Sequence, residues 1–143
     1  MLTPLSLDPP VAPAFVAPEA GVVTFAHGLP GFERCRRFVI VTSPDVAPFV
    51  CLNGLDAPEP SFLALDPHRV DPGYHLALGA GDRRRLDAVA DEPLLWLALV
   101  RVDGDRASAN LQAPIVVNPR AMRGLQVVSA DSPYSATHPL PER

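Results

Sequence analysis

Short runs of β-branched, aromatic and aliphatic residues recur along the chain, separated by proline, glycine, asparagine and aspartate. Runs of this length between turn-forming residues are typical of β-strands. The predicted strands are 22–25, 38–42, 49–52, 61–65, 94–100, 107–117 and 125–129. Close spacing of so many short strands predicts an all-β, mainly antiparallel domain, either a barrel or a sandwich.

The run from Leu94 to Val100 is apolar at odd and even positions alike. Strands that are covered on both faces show this pattern, so we predict a central strand with Trp96 in the core. Asp103-Gly104 follows and predicts a hairpin turn. Gly28-Leu29-Pro30-Gly31-Phe32 predicts a second tight turn, because two glycines flank a proline.

Only one short helix is predicted, over 83–90, with Asp82 as its N-cap and Leu86 and Val89 on one face. The arginines at 83–85 would then occupy the positive N-terminal end of the helix, which is unfavourable for cations. Two explanations follow from this conflict. Either the helix begins later, or the arginines serve a contact outside the domain, with a solvated basic turn as the plainer interpretation.

The run over 107–117 is interrupted by Pro114. Proline cannot donate a hydrogen bond to a neighbouring strand, so it belongs at an edge, a strand start or a bulge. Polar Asn110 and Gln112 lie before the interruption, and the apolar residues 115–117 lie after it. This arrangement predicts a shaped strand edge, which suits recognition of a partner.

The first 20 residues contain Pro4, Pro9, Pro10, Pro13 and Pro18 among small apolar residues. We expect this proline-rich arm, residues 1–20, to lack fixed structure, and residues 21–143 to form a single domain. The chain start at Met1 lacks the charged region of a signal peptide, and no apolar run is long enough to span a membrane. The two cysteines, Cys35 and Cys51, are too few for a small disulfide scaffold. We therefore expect a cytoplasmic protein with two buried thiols and no membrane contact.

No pattern in the sequence indicates catalysis or a cofactor. The histidines at 27, 68, 75 and 138 lack the spacing of a metal site, and neither a Gly-x-Ser-x-Gly elbow nor a phosphate-binding loop is present. We expect no catalytic, metal or cofactor site. The formal net charge of −4 also argues against direct binding of nucleic acid.

Tyr134 lies in a polar segment beyond the last predicted strand. A tyrosine in such a place has an apolar ring and a polar tip, so two roles are open. It either pins the C-terminal segment against the domain or contacts a partner.

Several separated motifs resemble one family, the bacterial flagellar assembly factor FliW. They are Gly28-Leu29-Pro30-Gly31-Phe32-Glu33, Asn110 to Asn118, and Tyr134-Ser135-x-x-His138-Pro139-Leu140, with Phe62 to Pro67 and Gly124 to Val128 in the corresponding order between them. The resemblance runs from about Val22 to Leu140. It implies a small β-barrel-like protein without enzymatic activity.

The resemblance also implies two protein partners, flagellin and the translational regulator CsrA. Members of the family bind flagellin and act as its chaperone; when flagellin is scarce, they bind CsrA, which then no longer represses flagellin mRNA. For this chain we predict one contact edge shaped by Asn110, Gln112 and Pro114. Tyr134, Ser135 and His138 are predicted to border that edge.

Three positions depart from the family pattern. Thr137 stands where the family often has an arginine before the histidine, Cys51 stands where many relatives have tryptophan, and Arg83 to Arg85 are basic where relatives are commonly acidic. Loss of the arginine at 137 leaves open a chaperone that binds only flagellin. A barrel that binds a small ligand is a further alternative, although no convergent polar pocket is visible in the sequence.

Overall fold

The computed structural model describes residues 21–129 and 131–141. It contains one short α-helix, α1 (Ala80–Arg85), and a single-turn 3-10 helix (Pro67–Arg69). The strands are β1 (Val23–Thr24), β2 (Arg37–Thr42), β3 (Val50–Gly54), β4 (Ser61–Leu65), β5 (Leu95–Asp103), β6 (Arg106–Ala109), β7 (Ile115–Asn118), β8 (Arg123–Gln126) and β9 (His138–Pro139). The predicted all-β class is confirmed. The proline-rich arm lies outside the described residues, so the predicted boundary near residue 20 stays a prediction.

Seven of the strands close into a barrel in the order β4-β3-β2-β1-β8-β7-β5, because β5 also pairs with β4. Strands β6 and β9 extend the sheet outward from β5. Every pairing is antiparallel except that of β1 with β8, where Thr24 lies opposite Arg123 as the one register pair. The resulting barrel removes most of the open sheet edges that would otherwise invite aggregation.

The barrel interior is filled by alternate residues of the strands. Fully buried members include Phe25, Phe38, Leu52, Leu97 and Ile115. Phe25 and Phe38 meet edge to face, with ring centroids 5.1 Å apart, a favourable arrangement for two aromatic rings.

The outer face of the barrel at β5 is also covered. Trp96 and Ala98 belong to an outer cluster, whereas Leu97 belongs to the interior, so both faces of β5 are packed as predicted. The outer cluster is closed by Tyr74 and by the C-terminal Tyr134 and Leu140 among others. Trp96 itself is half-buried rather than fully enclosed.

The predicted turns are present. In the Gly28–Phe32 turn, the Phe32 N–H donates to the Leu29 carbonyl at 2.7 Å, and Gly28 has a φ of +63°. A Cβ on Gly28 would lie 2.6 Å from the Phe32 carbonyl oxygen, so only glycine fits there. The β5–β6 hairpin turns at Gly104, again with a positive φ.

The predicted start of the helix is wrong. Helix α1 begins at Ala80 with Gly79 as its N-cap, and Asp82 lies inside the first turn and pairs with Arg85 at 3.0 Å. The arginines at 83–85 therefore occupy the last turn, where the helix dipole favours cations, and the predicted electrostatic conflict does not exist. The predicted end at residue 90 is wrong as well, because α1 ends at Arg85 with Leu86 as its C-cap. Leu86 is fully buried, whereas Val89 lies beyond the helix and is 57% exposed.

Three further details of the prediction need correction. The strand predicted over 125–129 is β8, which ends at Gln126, and the short strand β9 was not predicted. Both cysteines are free thiols, but only Cys35 is buried, because Cys51 is half-buried on β3.

Candidate functional site

The predicted strand break at Pro114 is confirmed. Strand β6 ends at Ala109 and β7 begins at Ile115, and both pair with the same side of β5. Ala98 and Leu99 of β5 lie opposite the whole segment 110–114. The extra residues therefore leave the sheet as a bulge.

This bulge is a well-bonded turn. The Asn110 side-chain oxygen accepts from the Gln112 and Ala113 N–H groups, each at 3.0 Å. The Gln126 side chain donates to the Ala113 carbonyl at 2.8 Å. Pro114 is buried, so it shapes the backbone of the bulge rather than the exposed surface. Asn110 and Gln112 are half-buried at its rim.

The C-terminal segment occupies the outer edge of β6. In β9, His138 lies opposite Ala109, and Pro139 lies opposite Ser108. The Leu111 N–H donates to the Ser135 carbonyl at 2.9 Å. The structure thus brings Ser135 and His138 beside the bulge as predicted, but the strand edge there is already paired.

Tyr134 pins this segment to the domain. Its ring lies 4.4 Å from the Tyr74 ring, between centroids, and its hydroxyl accepts from the His75 N–H at 2.9 Å. Tyr74 donates in turn to the Leu111 carbonyl at 2.8 Å. Burial, followed by the neighbouring Tyr134, raises the pKa of Tyr74 to about 12. Of the two roles left open for Tyr134, this geometry supplies the pinning role, and a partner contact stays a prediction.

A polar network that the sequence did not reveal lies behind α1. Fully buried Asn118 donates to the Leu86 carbonyl and to the Glu92 carboxylate, each at 2.9 Å. Glu92 also accepts from Arg120, and this hydrogen bond is the largest influence that holds the pKa of Glu92 below its usual value. The available signal was a polar residue that ends the buried strand β7 just before Pro119.

A cleft of about 470 Å³ opens between this network and the outer cluster. We call it the Trp96 cleft and define it by Leu76, Leu78, Arg83, Leu94 and Trp96. Its walls also include four polar or aromatic side chains: His68, Tyr74, His75 and Glu92. The cleft is lined by leucines, Trp96 and a single arginine, whereas the bulge at Asn110 presents polar side chains. The cleft was not predicted.

A larger groove of about 750 Å³ follows the β1–β8 seam. Its rim mixes His27, Glu33, Asp82, Arg85 and Arg123. Its lining carries charges of both signs, so the groove favours no charge type. It lies over the β1–β8 pairing, which among the described residues is the one parallel pairing and has a single register pair.

The described ranges 21–129 and 131–141 contain no group of three or more His, Cys, Asp or Glu side chains that could hold a metal ion. None of the helices in those ranges is long and apolar enough to cross a membrane. The surface features of the described ranges are the bulge, the C-terminal segment and the two grooves.

Comparison with known proteins places these surfaces on a known fold. The family model described as FliW protein matches residues 14–140. The flagellar assembly factor FliW of Treponema pallidum is 33% identical over 121 residues, which is 83% of this chain and 80% of that protein. The FliW protein of Carboxydothermus hydrogenoformans is 31% identical over 135 residues, or 91% and 87% of the two chains. A crystal structure of the flagellar assembly factor FliW matches with a TM-score of 0.78 and 29% identity, covering 87% of this chain and 89% of that one.

Proposed function

The chain belongs to the FliW family of flagellar assembly factors, and from this premise we propose that it acts in flagellum assembly as a cytoplasmic switch between two protein partners. Flagellin monomer is one partner, and it is protected by the protein before export. CsrA is the other partner, bound when flagellin is scarce, so that flagellin translation is no longer repressed. The protein performs no catalysis and contacts no RNA in this role.

The observation that carries the proposal is the family match over most of the domain, including the two motifs that build the bulge and the C-terminal segment. The geometry is compatible with it. The bulge and the segment around Ser135 and His138 form one continuous rim beside β6, and rims with rigid backbone and polar tips suit protein recognition. The net charge of −4 also favours encounter with a basic partner such as CsrA.

A second function, binding of flagellin alone, is favoured by one observation. Thr137 lies exposed in the rim where the family often has an arginine, and its N–H donates to the Ser135 hydroxyl at 2.9 Å. Threonine cannot supply the charged, forked contact that arginine makes with a carboxylate. In this case the fold would be kept for flagellin and the regulatory partner lost.

Calorimetric titration of the purified protein with flagellin monomer and, separately, with CsrA tests the proposal. We expect both to bind. Binding of flagellin without any binding of CsrA would establish the second function, and Thr137→Arg would then be expected to restore CsrA binding. Failure to bind either partner would refute the proposal.

The predicted contact rim needs its own variants. Tyr134→Ala would also release the C-terminal segment, so Gln112→Ala and His138→Ala are the more informative changes, since both side chains are half-buried at the rim. Asn53→Ala is the matched control. The Asn53 side chain on β3 accepts an exposed hydrogen bond from Ser61 on β4, and neither strand belongs to the rim. Unchanged affinity for both partners in Gln112→Ala and His138→Ala would show that the rim is not the contact surface.

A further inference from the structure

The segment from Tyr74 to Gly79 behaves as a strand that has no neighbour. It runs without helix, turn or bend over 75–79, and exposure alternates along it. Tyr74 is buried and Leu76 and Leu78 are half-buried against the barrel, whereas the residues between them are exposed. This two-residue alternation is the signature of an extended strand lying on a surface.

The backbone of this segment is open to pairing. The His75 N–H donates to Tyr134, but within the described ranges no protein group bonds the backbone N–H or C=O of Leu76, Ala77 or Leu78. Unpaired backbone groups in an extended segment form a template for an added strand. The β6 edge is a poorer template, because β9 already occupies it.

The Trp96 cleft lies directly beside this open backbone and supplies a place for apolar side chains. Leu94 and Trp96 are half-buried and line it, together with Leu76 and Leu78. The Trp96 indole N–H donates to no described residue, and no buried polar side-chain atom in the described ranges lacks a partner. The indole N–H of this cleft-lining residue is therefore accessible to solvent.

The uncompensated charge at the cleft is positive. Arg83 lines it and forms no ion pair with a described residue, in contrast to Arg85, which pairs with Asp82. The Glu92 carboxylate, which also lines the cleft, pairs with Arg120, and Arg120 pairs in addition with Asp87 outside the cleft lining. This local positive charge opposes the overall charge of −4, so it selects a carboxylate on the occupant.

We propose that residues 76–78 and the Trp96 cleft bind an extended, apolar, carboxylate-bearing peptide segment by strand addition, and that this segment belongs to monomeric flagellin. The identity of the occupant rests on the proposed function. An extended apolar segment that is unpaired in the flagellin monomer would match an open edge beside an apolar cleft. Strand addition uses the backbone of residues 76–78, the cleft takes an alternate side chain, and Arg83 takes the carboxylate.

Titration of the full-length protein with flagellin monomer, prepared by depolymerising filaments, tests this inference. Arg83→Glu is expected to weaken flagellin binding by about 10-fold or more, because it reverses a charge in the binding cleft. Arg84→Glu is the matched control: it makes the same charge change on the next residue of α1, outside the cleft lining. It is expected to change affinity by no more than about 3-fold, as rim charges do.

Ala77→Pro tests the backbone directly, since proline removes the central N–H of the open edge. We expect it to weaken flagellin binding while CsrA binding is retained. Hydrogen exchange on the unaltered protein gives a second measurement that needs no variant. Because successive N–H groups of an extended strand point to opposite edges, either the Ala77 amide or the Leu76 and Leu78 amides are expected to become protected when flagellin binds.

Three results would overturn the inference, and they differ from one another. Flagellin binding without protection of these amides, and with equal affinity for Arg83→Glu and Arg84→Glu, would place the flagellin site elsewhere and leave the proposed function intact. Amides that are already protected in the free protein, and lose protection when residues 1–20 are deleted, would assign the cleft to the chain's own arm. Absence of any flagellin binding would remove the proposed function and this inference together.

Discussion

Replacement of Asn118 by alanine is expected to be among the most destabilising single changes outside the barrel interior. The Asn118 side chain is fully buried. Its amide nitrogen donates to the Leu86 carbonyl and the Glu92 carboxylate at 2.9 Å, and its oxygen accepts from the Arg120 N–H at 3.1 Å. The nitrogen also has the Asp87 carbonyl as a third acceptor, at 3.3 Å. These acceptors and the one donor to the oxygen define the orientation of the amide.

The magnitude follows from the bonds that are lost. Three well-formed bonds at about 1 kcal/mol each amount to about 3 kcal/mol, and the Leu86 carbonyl is left buried without this donor. A domain of this size has about 5–15 kcal/mol of stability, so the loss is a large fraction of the total. It corresponds to a fall in Tm of about 10 °C.

Urea denaturation followed by circular dichroism measures the change, with Asn53→Ala as the control. Asn53 also bonds through its side chain, to Ser61 at 2.6 Å, but that pair is exposed to water. The control is expected to lie within about 0.5 kcal/mol of the unaltered protein. If Asn118→Ala unfolds at the same urea concentration as the control, the buried network does not contribute as argued. Asn118→Asp tests whether the hydrogen bonds or only the size of the side chain matter. Aspartate has the same size but places a second carboxylate beside Glu92, so it should also destabilise the fold at neutral pH.

Three further changes test other parts of the structure. Gly124→Ala places a Cβ 2.6 Å from the Phe25 ring in the interior, so it should lower the free energy of unfolding by about 1–3 kcal/mol in urea titrations, and an unchanged midpoint would show that the ring moves freely. The raised pKa of Tyr74, about 12 against an ordinary 10, means that the folded state holds this proton more tightly than the unfolded state. Stability should therefore be intact below pH 10 and decline as pH rises towards 12, by at most about 2.7 kcal/mol, and Tyr74→Phe should flatten that decline. The lowered pKa of Glu92, caused first by its hydrogen bond from Arg120, has the opposite sign. Its contribution should be present above the ordinary value of 4.5 and be lost as pH falls through the lowered pKa; an acid unfolding curve that Glu92→Gln leaves unaltered would refute this assignment.

The parts of the fold that were predictable from the sequence are those that depend on local chemistry. Pro114 predicts a strand break because of its missing N–H, and the double apolar pattern of β5 predicts cover on both faces. Gly28 and Gly104 predict turns because a positive φ is readily available only to glycine. In each case the deciding interaction lies within a few residues of the signal.

The parts that were missed depend on contacts between distant residues. Strand β9 consists of two residues, and its pairing with β6 uses backbone bonds that leave no periodic pattern in the sequence. The helix start at Ala80 was missed because Gly79, an N-cap without a side-chain bond, gives a weaker signal than Asp82. Asn118 bonds residues about 30 positions away, so its role follows only from the closed barrel.

The candidate surfaces show the same division between features that were predictable from the sequence and features that were missed. The residues Asn110, Gln112, Tyr134, Ser135 and His138 were expected to lie together, and the structure brings them to one rim, although whether they touch a partner stays a prediction. The Trp96 cleft was missed even though in its wall, His75-Leu76-Ala77-Leu78, leucine alternates with a polar or small residue in the sequence. A four-residue alternation is too short to be distinguished from coil without the barrel beneath it.

The central claim is that one protein serves two partners that exclude each other. A calorimetric titration with CsrA, carried out first on the free protein and then on the protein saturated with flagellin monomer, tests this most directly. The account predicts binding in the first titration and none in the second. Equal binding of CsrA in both titrations would contradict the switch, because the protein would then hold both partners at once.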